Sequence, residues 1–186
     1  MMGSIRRNLR HSKKDFKQKA YISLVRSVME YACTVWDPYL NKDIDKLEGV
    51  QRRAARFVTN DYRRHSRVTK MMKELKWQPL HERRREKRLV FFHKIVYDLV
   101  AVSRDSILQL NQRKQRTSNS KCVKIIHCNT KTCKNSFVPR TISCWNYLPD
   151  SMVLHSRKED FKAALTNFLK SNYQTNQTIG LSLCSP

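Results

Sequence analysis

The sequence predicts a mainly α-helical protein: a helical bundle with a small β-hairpin and C-terminal helices. Through the first 102 positions apolar residues recur at three- and four-residue steps, as helices with one buried face require. The turn-forming WDPYLN and Pro79 divide those repeats into separate helices. Later, CVKIIHC is a short β-branched run suited to a strand, and SFVPR is a candidate partner for it.

The first expected helix starts near Ser12 and Asp15 and ends near Cys33. Phe16, Ala20, Leu24, Val28 and Tyr31 form its expected buried face. Pro38 biases Asp37 away from helical backbone, so a turn follows. Asn41 is placed to cap a second helix, with Ile44, Leu47, Val50, Ala54, Phe57 and Val58 inward. At ~100° per residue, Arg52 and Arg56 lie opposite that face and Arg53 on its flank. Ser66 opens a short third helix with Val68, Met71, Met72 and Leu75 inward.

A fourth helix is expected from about 80 to about 102, with Leu89, Phe92, Ile95, Val96 and Leu99 as its core stripe. Extended backwards, the stripe meets Arg88, Arg85 and Arg84, so the first two turns are expected to project beyond the core. Residues 103–121, ending in NQRKQRTSNSK, read as a flexible linker between a bundle at 1–102 and a small α+β module at 122–170. In that module TISCWNYL reads as a short helix stopped by Pro149. Ser156 and Glu159 form a capping box for a last helix buried through Phe161, Ala164, Leu165, Phe168 and Leu169. Residues 171–186 read as a disordered tail.

Lys plus Arg number 38 against 15 Asp plus Glu, a formal charge of +23. That imbalance favours a polyanionic partner, with nucleic acid first. No apolar run approaches the ~20 residues that span a bilayer, and no membrane partner is expected. Three glycines are too few and too scattered for a loop that cradles phosphate with backbone N–H groups. The aspartates are also scattered, without the converging carboxylates that two-metal phosphoryl chemistry needs. Asp43 and Asp45 are better explained as helix N-terminal charge.

Cys122, His127, Cys128 and Cys133 offer thiolate and imidazole ligands, but only Cys128 and Cys133 approach zinc-site spacing, so no metal is expected. Tyr62, beside Arg63 and Arg64, is the best-placed ring for stacking on an unpaired base. Trp77, Phe91, Phe92, Trp145 and Phe161 sit in apolar contexts and read as core.

Taken in order, IRRNLR, AYISLVRSVMEYACTVWDPY, DIDKLEGVQRRAARFV, LKWQPLHERRREKRL, SFVPRTISCWNYLP and FKAAL resemble the C-terminal part of non-LTR retrotransposon (LINE) reverse transcriptases, of the Jockey and chicken-repeat type. The likeness runs from about position 5 to about 169. It implies the thumb and following tail of such an enzyme, a helical region packed along template and primer. The catalytic Y-x-D-D of that family lies in the palm, upstream of the matching part, and no equivalent is present here. The resemblance therefore implies a fragment of a transposable-element polymerase that is inactive alone and needs no cofactor of its own.

The expected function is binding of RNA, DNA or an RNA–DNA hybrid through sequence-independent phosphate contacts. Arg52, Arg53, Arg56, Arg63, Arg64 and Arg67, with Arg83, Arg84, Arg85, Lys87 and Arg88, form the expected track. HERRREKR and RRHSR also resemble nuclear import signals, and the family implies a nuclear location. The rival expectations are a basic protein-interaction module and a decayed element product without selected function.

Overall fold

The structure, a computed structural model, describes residues 1–111 and 119–174, with 170 and 172–174 described by backbone alone. It is mainly helical, as the periodicity predicts, and divides into two compact units, Met1–Arg84 and Arg85–Pro186. The first contains α1 (Met2–Asn8), α2 (Lys14–Ala20), a π-helical stretch (Tyr21–Arg26), α3 (Ser27–Glu30), α4 (Cys33–Trp36), α5 (Asn41–Thr59) and α6 (Val68–Glu74). The long α7 (Leu80–Val96) starts there and finishes in the second unit. It is followed by α8 (Arg104–Ile107), α9 (Lys131–Lys134), α10 (Phe137–Asn146), α11 (Asp150–Val153) and α12 (Lys158–Gln174).

In the first unit α5 is the spine. Its Ala54, Ala55, Phe57 and Val58 are buried with Ile5, Tyr21, Val25, Met71, Leu75 and Trp77. The small Ala54 and Ala55 let neighbouring elements approach closely, and the Tyr21 ring stacks on Trp77 with centroids 4.6 Å apart. Gln51, also buried, donates from Nε2 to the Gln78 carbonyl at 2.8 Å, which satisfies its amide nitrogen. Asn41 is the first helical residue and not a side-chain cap, and Ser66 does not cap α6.

Apart from half-buried Ala20, the face expected to be buried in the first expected helix is the exposed one. Lys17, Tyr21 and Val25 point inward, whereas Phe16, Leu24, Val28 and Tyr31 are exposed. Two four-residue tracks lie one residue apart, and the more apolar of them is outside. Lys17 fits the inner track because its ammonium sits 4.9 Å from the Phe57 ring centroid while its stem packs. The π-helical stretch also changes the angular step, so faces extrapolated at 100° per residue drift through it.

Left-handed residues end three helices without glycine: Asn60, Lys76 and Asp98, at φ 54°, 54° and 50°. After α6, Trp77 N donates to Met72 O and Lys76 N to Lys73 O, the paired bonds of a Schellman turn. After α7, Leu99 N to Lys94 O and Asp98 N to Ile95 O repeat it. That turn stops α7 at Val96 instead of near 102, and Leu99, expected in the core, is exposed.

The second unit packs Leu89, Phe92, Ile95 and Val96 of α7 against Ile142, Trp145, Leu148, Met152, Val153, Phe161 and Leu165. His93 is fully buried, stacked on Phe161 at 4.3 Å, and its Nε2 lies 2.7 Å from the His155 carbonyl, so Nε2 carries the proton. Burial lowers its pKa and keeps the ring neutral.

The expected hairpin does not form among the described residues. Val123 makes an isolated antiparallel bridge to Leu110, and SFVPR leads into α10. Asn146 takes the place of a second strand: its Oδ1 accepts from Val123 N at 3.0 Å and its Nδ2 donates to Val123 O at 2.8 Å. Pro139 is compatible with α10 because it lies in the first turn, where its missing N–H leaves no bond unmade. Both flanks of the expected linker are held. Leu108 is buried, and buried Asn119 donates from Nδ2 to the Trp145 carbonyl at 2.8 Å. Residues 112–118 lie outside the described residues. So do 175–186 of the expected tail, whereas α12 continues through 171–174.

Candidate nucleic-acid interface

Every fourth or third residue of α5 faces the core, which leaves Arg52 and Arg53 exposed and Arg56 half-buried on the far side. Left-handed Asn60 then turns the chain, and 61–67 carry Tyr62, Arg63, Arg64 and Arg67, all exposed. This loop is held by its own bonds. Asp61 Oδ1 accepts from Arg63 N at 3.0 Å, and Arg56 Nη1 donates to Arg63 O at 3.2 Å. The Ser66 hydroxyl and the Arg63 N–H favour the charged form of Asp61 and lower its pKa.

One residue that sequence reasoning missed joins this surface. Exposed Arg6 of α1 places its guanidinium 5.2 Å from the Tyr62 ring centroid. Its neighbour Ile5 is buried with the α5 core, and that anchoring brings α1 to the basic loop. The signal was present in IRRN, an apolar residue followed by two arginines, but a single apolar position does not define a helix face. Tyr62 is exposed, with one ring face covered by Arg6.

The arginines of α7 are used differently. Arg84 is 1% exposed, and its Nε donates to Asp37 Oδ1 at 2.8 Å. Arg83 grips Glu30 with two nitrogens, Nη2 reaching Oε2 at 3.1 Å. Burial lowers the pKa of Arg26, and Arg83 nearby lowers it further, while Glu30 opposes both. In the second unit Arg88 is 2% exposed, Arg85 is half-buried and Lys87 is exposed. The expected projection of the first turns of α7 is thus overturned at Arg84 and Arg88. Arg84 can be buried because a buried guanidinium needs a carboxylate, and Asp37 supplies it. Arg52, Arg53, Arg63, Arg64 and Arg67 remain as an exposed group in one unit, with Arg56 beneath the loop.

Among the four candidate metal ligands, Cys128 and Cys133 meet, Sγ to Sγ at 2.9 Å. Among the described residues no group of three or more His, Cys, Asp or Glu stands together as a metal site, and no helix is long and apolar enough to cross a membrane.

These features define a helical, strongly basic protein with an arginine-faced helix and loop on its first unit. Compared with protein-family models, curated proteins and solved structures, the chain matches none.

Proposed function

We propose that this chain binds RNA, DNA or an RNA–DNA hybrid through phosphate contacts, as a non-catalytic, thumb-like C-terminal part of a retrotransposon RNA-directed DNA polymerase. One observation carries the binding reading. The outer side of α5 and the loop after it present Arg52, Arg53, Arg63, Arg64 and Arg67 to solvent, while the inner side is sealed by Ala54, Ala55, Phe57 and Val58. Guanidinium groups suit phosphate because their planar fork donates two parallel hydrogen bonds. Contacts of this kind to the phosphate backbone carry no sequence information. The polymerase reading rests on the ordered family-like segments, and with it comes a nuclear site of action.

The test is competition on the purified chain bound to a labelled RNA–DNA hybrid. Unlabelled hybrids of unrelated sequence should displace it equally well, within about threefold. A mismatch-sensitive hierarchy, in which each wrong base costs ~1–3 kcal/mol, would contradict backbone binding. Primer extension by the chain alone, with magnesium or manganese, should yield no product.

A second reading, a protein-interaction module, is favoured by the exposed apolar residues Phe16, Leu24, Val28, Tyr31 and Val35. Protein partners that survive nuclease treatment and are lost on Leu24→Asp would support it. Loss of every partner with nuclease would leave the first reading alone.

A further inference from the structure

We propose that Cys128 and Cys133 are a redox modification site, a dithiol that closes to an intramolecular disulfide by exchange with a low-molecular-weight disulfide such as oxidised glutathione. Both are free thiols, one half-buried and one exposed, with sulfurs 2.9 Å apart. A disulfide bond is ~2.05 Å long, so closure needs less than about 1 Å of movement.

The loop is already shaped for closure by bonds that do not involve sulfur. Thr130 is extended, its Oγ1 accepts from Cys133 N at 3.1 Å, and its carbonyl accepts from Lys134 N at 3.0 Å. From the other side Ser136 donates to the Cys133 carbonyl twice, from N at 3.0 Å and from Oγ at 2.7 Å. One turn of α9 therefore carries Cys133 back to Cys128 and holds it there. No group of three or more His, Cys, Asp or Glu that could hold a metal ion includes the pair among the described residues.

The two sulfurs have different parts. Cys133 is exposed and meets the small disulfide first, while half-buried Cys128 acts second. Cys133, as thiolate, attacks one sulfur of oxidised glutathione and releases one glutathione thiolate. Cys128 then loses its proton to solvent, attacks the Cys133 sulfur of the mixed disulfide and releases the second. Two protein thiols are oxidised to one disulfide, and one small disulfide is reduced to two thiols. The product ties α9 to the segment that runs from the Val123 bridge.

The full chain would be equilibrated in glutathione buffers from fully reduced to fully oxidised, quenched with acid, alkylated and cut with trypsin without reduction. Cleavage after Lys124, Lys131 and Lys134 places the two cysteines in separate peptides, 125–131 and 132–134. Their disulfide therefore appears as one linked species that separates on reduction. The linked form should exceed glutathione-capped peptides by at least about tenfold, since pre-positioned groups meet at high effective concentration. Cys128→Ser should accumulate the mixed disulfide at Cys133, and Cys133→Ser should react more slowly at Cys128. Two free thiols, separately capped peptides or a link between chains under oxidising buffers would overturn the proposal.

Discussion

Arg84 and Arg52 are one residue type put to opposite uses. Arg52 stands in solvent with Asp45 at 3.5 Å, whereas the Arg84 side chain is fully covered against Asp37. Removing one partner of a buried pair costs about 3–5 kcal/mol, while an exposed pair contributes about 0–1 kcal/mol. Asp37→Asn should therefore lower the urea unfolding free energy by about 3 kcal/mol and Asp45→Asn by less than ~0.5 kcal/mol. Equal, small losses would show that Arg84 is not sealed. His81 gives a pH signature in the same unit. Hydrogen bonds with Glu48 and Glu82 raise it to about 9. Burial pushes Glu48 up, but the bonds from His81 outweigh that and lower it overall. A histidine pKa raised above its unfolded ~6.5 contributes stability that is complete below that pH. The contribution is then lost as pH climbs through about 9. Glu48→Gln should flatten the fall of the thermal midpoint across this window. An unchanged slope would remove the pair from the account.

At the scale of elements, legibility followed how many signals agreed. For α5, apolar spacing and basic outer positions pointed one way, and the arginine face was readable before any fold. The α2 region misled because periodicity alone offered two adjacent tracks, and the inner one contains a lysine. Only tertiary partners, Phe57 under Lys17 and Trp77 against Tyr21, decide between them. Tyr21→Ala should cost about 3–5 kcal/mol, whereas Leu24→Ser with Val28→Ser should stay within about 0.5 kcal/mol, read by denaturant unfolding. The reverse ranking would restore the buried face expected from sequence. The strand expectation failed for a comparable reason. Val123 does seek a backbone partner, but a bridge to Leu110 and the Asn146 side chain supply it from remote positions. The α7 arginines were legible as basic and not as buried, since Asp37 and Glu30 lie about 50 residues away in sequence.

For the whole molecule, charge alone does not locate a binding surface. Residues 1–84 carry 21 basic against 9 acidic side chains, net +12, and residues 85–186 carry 17 against 6, net +11. Both units attract polyanions from a distance, and the proposed interface assigns phosphate binding itself to α5 and its loop. The most direct measurement is affinity for a labelled RNA–DNA hybrid across a salt series, comparing two variants that lose equal charge. One replaces Arg52, Arg53 and Arg56 with Ala. The other replaces Arg157, Lys158 and Lys162, none of them buried, in the second unit. Each phosphate contact contributes about −0.7 to −0.9 to the slope of log affinity against log salt, so the α5 variant should flatten it by about 2 while the control leaves it nearly unchanged. Equal flattening in both, or none in the α5 variant, would show that the arginine face of α5 is a solvated surface and contradict the account.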